Sequence, residues 1–324
     1  MELPPLTRNY FSSNPEKEQA YRRLCWFLTF STILVLYFFW EPLRSTSFTY
    51  ALVSVTVANN AVGIFFRFVT ALGSEAFFIP FFSVIYWSVN KSLGFWGLII
   101  MPLSVFISSE IPKDIIRLPR PDVRGVSVPT YTFPSGHSSG AVSVWGYLAI
   151  RVRRRWFSIW ALVIILLVGL SRTMLGYHFP GDVLGGFVTG TAFIALFFWL
   201  ANVVMENRWG EGIPYPLLLF AVLVVPLAMS FIPATFAPRL MGYVAGAGTG
   251  YLLARENLRY YTKASWPKQL ARAVLGLAVL SLITLGLNAV LPVQAHLLTF
   301  TQCALATFWV TYAAPRTFIK LGLS

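Results

Sequence analysis

The chain has 324 residues, of which 56% are hydrophobic and only 11% are charged, and its mean hydropathy is +0.67. A soluble domain of this length would expose far more charge to water, so this composition excludes an ordinary soluble protein. The formal net charge of +13 would suit a nucleic-acid partner, but Lys and Arg also concentrate in the cytoplasmic loops of membrane proteins. We therefore predict an integral membrane protein whose partner is the lipid bilayer and not nucleic acid.

Apolar runs recur along the whole chain, and a helix of about 20 such residues crosses the hydrocarbon core of a bilayer. The first run, 24–40, follows a polar segment without a small-residue cleavage site, so we expect it to remain as a transmembrane helix. The charge-free runs are 24–40, 76–90, 92–109, 156–171, 183–205, 213–238, 240–254, 273–295 and 297–315, and a further run, 126–150, contains a loop and then a helix. Together they predict about ten crossings.

The order of these runs predicts an all-α, polytopic membrane helix bundle. We expect a cytoplasmic N-terminal segment (1–23), a six-helix catalytic core (24–205) and a C-terminal extension (213–324). The core holds every motif described below. The extension adds about four transmembrane helices, and the sequence assigns it no role.

The distribution of basic residues predicts the orientation. With the N-terminus inside and each run crossing once, about two thirds of the 25 Lys and Arg lie on the cytoplasmic side. The reverse orientation would place the dense clusters at 151–155 and 255–272 outside. Both termini are therefore predicted to be cytoplasmic. The stretch 47–71 is apolar but interrupted by polar residues, and we interpret it as a helix along the outer interface.

Three further reactive side chains are predicted to be structural. Cys25 and Cys303 lie in apolar runs at opposite ends of the chain, without the spacing of a metal site, so we expect two reduced thiols. His296 stands alone at a predicted helix start, and we expect it to be interfacial.

The first motif is Lys113-Asp-Ile-Ile-Arg-Leu-Pro-Arg120-Pro121, at the outer end of the run 92–109. In a helix, Lys113 and Arg117 share a face, and Arg120 follows one turn later, before the prolines end the helix. Such cations repel one another unless an anion or the water phase offsets them. The alternative is that the long basic side chains only reach for the membrane interface.

The second motif is Pro134-Ser135-Gly136-His137-Ser138-Ser139-Gly140, which opens the next apolar helix. Unpaired N–H groups at a helix start favour an anion, Gly136 permits close approach, and Ser135 adds a hydroxyl donor. The alternative is an ordinary serine N-cap beside an incidental histidine.

The third motif is Ser171-Arg172-Thr-Met-Leu-Gly-Tyr-His178-Phe-Pro-Gly-Asp182. His178 and Asp182 are four residues apart, so the carboxylate can reach one imidazole nitrogen and determine which nitrogen is free. This is the orienting half of a catalytic triad, with the imidazole as nucleophile or base. The alternative is a helix-capping aspartate beside an interfacial histidine.

The three motifs together favour phosphoryl transfer, which depends on positioning and on electrostatic stabilisation of the phosphoryl oxygens. They resemble the signature of the type 2 phosphatidic acid phosphatase superfamily, which reads Lys-x6-Arg-Pro, Pro-Ser-Gly-His and Ser-Arg-x5-His-x3-Asp. Every signature position is present, and the resemblance covers roughly residues 70–200.

The resemblance implies a role for each motif residue. His178 would attack phosphorus, Asp182 would orient it, and His137 would protonate the leaving alkoxide. The residues implied to hold the phosphate are Lys113, Arg120, Arg172, Ser135 and Gly136. No metal or other cofactor is implied, because Mg²⁺ would require carboxylate pairs. The family places such a site on the extracytoplasmic face, in agreement with the charge count.

The predicted function is hydrolysis of a lipid phosphate or a polyprenyl phosphate or diphosphate through a phosphohistidine intermediate. A soluble sugar phosphate, as in glucose-6-phosphatase-like members, is one alternative, and transfer of the phosphoryl group to another lipid is a second. A third is a non-catalytic lipid-phosphate transporter, which should carry ionisable residues near the midplane, whereas these charges lie at one end. The sequence leaves the exact substrate and the oligomeric state open.

Overall fold

The computed structural model describes residues 30–123, 130–207, 212–286 and 296–324, and in these ranges every regular element is a helix. The all-α prediction is therefore confirmed; the segment 1–23 and Cys25 lie outside the described residues. The helices are α1 (residues 30–38), α2 (Trp40–Leu43), α3 (Thr46–Ala58), α4 (Asn60–Ala71), α5 (Glu75–Ser88), α6 (Lys91–Val105), α7 (Ile111–Ile116), α8 (Gly136–Val152), α9 (Arg155–Met174), α10 (Pro180–Glu206), α11 (Tyr215–Met229), α12 (Ala237–Asn257), α13 (Trp266–Ser281), α14 (His296–Phe308) and α15 (Ala314–Lys320).

Each charge-free run overlaps a helix or the described part of one, but fewer helices are long and apolar enough to cross a membrane by themselves. Within the described ranges there are five, with the bent pair α2–α3 and α4 as a possible sixth. The five are Lys91–Ile116, Arg155–Met174, Pro180–Val204, Trp266–Gly286 and His296–Lys320. Among the other helices, α5 and α11 are apolar but have only 14 and 15 residues, and α12 is rich in glycine.

The stretch 47–71 forms two helices where one was expected. A bend of 110° separates α3 from α4 at Asn59. The backbone of Asn59 is extended, and its side-chain oxygen accepts hydrogen bonds from the N–H groups of Ala61 and Val62, as an N-cap does. The expectation of a single helix is therefore wrong, while its location along the interface stays a prediction.

The chain divides into two compact units, Met1–Ser74 with Ile107–Glu211 and Glu75–Phe106 with Gly212–Ser324. The second unit takes in α5 and α6 beside the C-terminal helices. The domain boundaries given above, 24–205 and 213–324, stay a prediction.

In the first unit, α8 packs between α9 and α10. The start of α8 approaches α10 closely at two glycines. A Cβ at Gly186 would collide with the carbonyl oxygen of Ser135, and one at Gly190 with that of Ser139. These contacts place the second motif directly against the helix that carries Asp182.

In the second unit, α12 packs most extensively against α14 and also contacts α11 and α6. Arg272 is fully buried, and its guanidinium donates to the carbonyl oxygens of Trp87, Thr262 and Leu323. Cys303 is free and buried, as expected. His296 begins α14, where its Nε2 lies 2.8 Å from the carbonyl oxygen of Ser230.

Candidate functional site

Lys113 lies on α7 at the end of the continuous helix Lys91–Ile116, which contains a π-helical turn at Phe106–Glu110. The side chain is buried, and its Nζ is 2.7 Å from Oε1 of Glu110, three residues earlier. A buried ammonium needs such a partner, because removing its charge from water is unfavourable by itself. The ammonium has three donors, so the pairing leaves others for a second anion.

Arg117 and Arg120 do not extend the face of Lys113 as expected. The helix ends at Ile116, and Arg117 follows in a left-handed conformation, exposed, with its side chain bonded to the backbone of Asp114. Pro119 disfavours a helical conformation at the residue before it, which explains the early end. Arg120 lies in the following loop, where its guanidinium donates to Thr130 and to the carbonyl oxygen of Tyr177 (2.8 Å).

Ser135 caps α8, since its Oγ accepts from the N–H of Ser138. Ser138 also donates its hydroxyl to Ser135 Oγ at 2.9 Å, so Ser135 keeps its own proton for another acceptor. Ser135 can therefore cap the helix and donate to a bound phosphate at the same time. Gly136 and His137 are the first two residues of α8, and His137 interacts electrostatically with both Arg172 and His178.

Arg172 lies in the last turn of α9 and is 8% exposed. Its Nη1 donates to Thr70 Oγ1 at 2.7 Å, and its guanidinium lies over the ring of Tyr177, 4.4 Å from the centroid. Its Nε is buried and has no hydrogen-bond partner. An unpaired buried donor on a cation indicates a place that an anion would fill.

His178 and Asp182 lie close together, but a hydroxyl connects them. The distance from His178 Nδ1 to Asp182 Oδ2 is 3.6 Å, too long for a hydrogen bond. Thr132 Oγ1 donates to Asp182 Oδ2 and lies 3.1 Å from His178 Nδ1. The i, i+4 spacing predicted a direct contact between His178 and Asp182, whereas in the structure the Thr132 hydroxyl bridges them.

This geometry favours one tautomer of His178. Because Thr132 donates its single hydroxyl proton to the carboxylate, its oxygen accepts from Nδ1–H, and Nε2 carries the lone pair, which can accept from Arg120. Nε2 lies 3.4 Å from Nη1 of Arg120. Burial lowers the pKa of the His178 imidazole well below its usual value, and the neighbouring cations, Arg172 first, lower it further. The ring is therefore neutral at neutral pH.

Asp182 is fully buried at the start of α10, and both of its oxygens have donors. Oδ2 accepts from Thr132 and from the N–H of Phe179 (2.8 Å), while Oδ1 forms an ion pair with Arg44. Hydrogen bonds and a cation together compensate the buried charge.

The structure therefore brings the predicted residues into one region of the first unit, together with partners that the motifs do not include. The additional contacting residues are Arg44, Thr70, Glu110, Thr130, Thr132 and Tyr177. Two of them carried a signal in the sequence: Glu110 is the acid three residues before Lys113, and Thr132 closely precedes the second motif. Among the residues that the structure describes, no group of three or more His, Cys, Asp or Glu is placed to hold a metal ion.

Two family models match the chain. One, described as the PAP2 superfamily, matches residues 86–206, and the other, described as PAP2 superfamily phosphatase, transmembrane extension, matches residues 238–324. The first match contains all three motifs. The second lies within the predicted C-terminal extension.

Individual relatives show the same similarity. Sphingosine-1-phosphate phosphatase 2 from Mus musculus is 29% identical over 180 residues, 51% of this chain and 49% of the relative. Phosphatidylglycerophosphatase B from Bacillus subtilis (strain 168) is 34% identical over 144 residues, 40% of this chain and 69% of the relative. The chain spans about half the length of the sphingosine-1-phosphate phosphatases that it matches. A crystal structure of a transmembrane PAP2 type phosphatidylglycerolphosphate phosphatase from Bacillus subtilis matches with a TM-score of 0.44 and 25% identity, over 54% of this chain and 96% of that one.

Proposed function

The chain belongs to the PAP2 superfamily, and from this premise we propose that it is a metal-independent membrane phosphatase acting on a lipid phosphate or a polyprenyl phosphate or diphosphate. One observation carries the proposal. Three buried or half-buried cations surround the neutral His178, yet the hydrogen-bond partners described for Arg120 and Arg172 are uncharged, and Arg172 Nε has none. A phosphate would supply the missing negative charge and acceptors.

In the proposed first step, Nε2 of His178 attacks phosphorus. The N–P bond forms as the P–O bond to the lipid breaks, and His137, protonated once the phosphate dianion offsets the neighbouring cations, donates a proton to the departing alkoxide. The lone pair for the attack is on Nε2 because Thr132 accepts from Nδ1–H. Lys113, Arg120 and Arg172 stabilise the equatorial oxygens, with the Ser135 hydroxyl and the Gly136 amide as further donors.

In the second step, water attacks phosphorus and the N–P bond breaks, which releases orthophosphate and restores His178. His137, now deprotonated, accepts a proton from that water. No metal takes part, since the cations already present supply the electrostatic stabilisation.

The substrate class follows from the family and the membrane. The names of the two relatives describe phosphatases of sphingosine 1-phosphate and of phosphatidylglycerophosphate, both lipids that end in a phosphomonoester. A site at helix ends suits a substrate whose tail remains in the bilayer. The charge distribution supports an extracytoplasmic location for this site.

The test is turnover by purified protein in detergent against a substrate panel. The panel holds sphingosine 1-phosphate, phosphatidylglycerophosphate, phosphatidate, undecaprenyl diphosphate and glucose 6-phosphate, each with and without EDTA. We expect release of phosphate from at least one lipid, unaffected by EDTA. Activity confined to glucose 6-phosphate would exclude the lipid assignment.

The nucleophile is tested by His178→Ala, which should abolish turnover because no phosphoenzyme can form. His296→Ala is the matched control, since His296 belongs to the other compact unit, and it should keep near-normal activity. His137→Ala should slow hydrolysis, and ³²P should accumulate on the protein if its second role limits the rate. Near-normal turnover by His178→Ala would disprove the mechanism.

A further inference from the structure

Arg44 reaches the site from outside the matched region. It follows α2, whereas the family model begins at residue 86, and no motif includes it. Its Nη1 pairs with Oδ1 of Asp182, and its Nη2 donates to the carbonyl oxygen of Pro119 at 3.1 Å. The contact therefore joins the N-terminal helices, the loop of the first motif and the start of α10.

The surroundings hold this guanidinium in place. Its carbon lies 4.5 Å from the centroid of the Phe179 ring and 5.2 Å from that of Trp40, and the side chain is only 11% exposed. Gly181 packs against the same segment, since a Cβ there would lie in ordinary van der Waals contact with the side chains of Leu43 and Arg44, at 3.4 Å. A contact enclosed in this way is far more restricted than a surface ion pair.

We propose that Arg44 is a positioning residue for His178: by pairing with Asp182 it keeps the carboxylate ionised, and the carboxylate then fixes the reactive tautomer through Thr132. This inference rests on the proposed function, in which Nε2 of His178 is the nucleophile.

The argument follows the proton of Thr132. Without Arg44, the fully buried Asp182 would lose the cation that compensates its charge, and such a group is neutralised rather than left charged. A neutral carboxyl group is a weaker hydrogen-bond acceptor than a carboxylate, so Oδ2 would compete less well with His178 for the Thr132 proton. The Thr132 proton would then turn to Nδ1 of His178, and the ring would carry its hydrogen on Nε2. That tautomer has no lone pair for phosphorus.

The test compares Arg44→Gln and Arg44→Lys with Arg67→Gln, an exposed arginine on the neighbouring α4. We expect Arg44→Gln to lower kcat by about 10- to 100-fold. This is less than the roughly 10⁴-fold loss that follows when a triad aspartate is replaced and the histidine tautomer is wrong, because Thr132 and the N–H of Phe179 still hold Asp182. KM should change by less than about twofold, since Arg44 does not touch the phosphate site. Arg44→Lys should recover part of kcat, and Arg67→Gln should match the wild type. An unchanged kcat for Arg44→Gln, or a loss confined to KM, would overturn the proposal.

A double-mutant cycle separates positioning from folding. If Arg44 acts through Asp182, adding Arg44→Gln to Asp182→Asn should cause little further loss of kcat, whereas independent losses would multiply and overturn the proposal. The Tm of the four proteins of the cycle (the wild type, Arg44→Gln, Asp182→Asn and the double variant) is also measured by thermal unfolding in detergent, which does not depend on turnover. If the wild type hydrolyses nothing on the panel, the proposed function fails. The Tm values still test the contact between Arg44 and Asp182: if the Tm shift of the double variant equals the sum of the two single shifts, the proposal is overturned as well.

Discussion

A threonine hydroxyl has one proton, and at Thr132 two groups compete for it, Oδ2 of Asp182 and Nδ1 of His178. The ionised carboxylate is the stronger acceptor because a charge-assisted hydrogen bond is about twice as strong as a neutral one. The proton therefore goes to Asp182, and the carboxylate, acting through Thr132, determines which nitrogen of His178 would be free for the proposed attack. The single hydroxyl at residue 132 acts here as the connection between acid and imidazole.

The lowered pKa of His178 predicts the pH dependence of the reaction. A protonated imidazole cannot attack phosphorus, so kcat/KM falls as pH drops through the pKa of the free enzyme. Burial, followed by Arg172 and the other cations, shifts that pKa below the usual 6.5. We therefore expect kcat/KM to remain high at pH 6.5 and its acid limb to lie at lower pH.

The phosphate group of the substrate also titrates, with a second pKa of about 6. Two substrates whose phosphate pKa values differ will distinguish ionisation of the phosphate from ionisation of His178. Only the part of the kcat/KM profile that reports the phosphate should move along the pH axis between the two substrates. If kcat/KM falls at the same pH for both substrates, and that pH is 6.5 or higher, the result would contradict the lowered pKa of His178.

At the same scale, sequence reasoning finds the motif residues because each has a fixed spacing from its neighbours. The contacts of Arg44 with Asp182 and of Thr70 with Arg172 span 138 and 102 positions. Only the packing of helices brings such residues together, so no local pattern indicates them. The sequence therefore predicts which side chains do the proposed chemistry better than it predicts what holds them.

Among the elements, helix positions follow from apolar runs, whereas bends and close packing depend on single residues. The turn between α3 and α4 depends on the cap at Asn59. In α12, Gly242, Gly246 and Gly250 are four apart, and a Cβ at any of them would collide with α14 or the π-helical turn after it. Small residues spaced in this way let membrane helices approach closely. Thr307 confirms the short approach by donating to the carbonyl oxygen of Tyr243 at 2.9 Å.

Gly246→Ala should destabilise the second unit, because the new methyl group would meet the carbonyl oxygen of Ala304, a backbone atom that cannot rotate away. Overpacking of this kind costs about 1–3 kcal/mol. Gly146→Ala in α8 is the control, since a Cβ there meets nothing within 4 Å, and alanine favours a helix by about 0.5–1 kcal/mol. Thermal unfolding in detergent measures both, and equal stability of the two variants would refute the close packing of α12.

For the whole molecule, the surface itself indicates the bilayer. Large apolar side chains are exposed on the long helices, among them Trp160 on α9 (62%) and Trp199 on α10 (59%). A water-soluble protein would rarely leave such rows of tryptophan and leucine uncovered. The acyl chains of lipids would cover them, in agreement with an integral membrane protein.

The orientation in that bilayer is the last prediction, and it depends on charge alone. Lys and Arg are retained on the cytoplasmic side, so the loops with Arg154 and Lys263 should face the cytoplasm and the loop with Asp122 the outside. In a variant with Cys25 and Cys303 replaced by serine, we expect a membrane-impermeant thiol reagent to label Asp122→Cys in intact cells. Arg154→Cys and Lys263→Cys, both at exposed positions, should react only after permeabilisation. Labelling in the opposite order would place the phosphate site on the cytoplasmic face and require a substrate from the inner leaflet, while the chemistry proposed for His178 would stand, because it depends on local geometry and not on the side of the membrane.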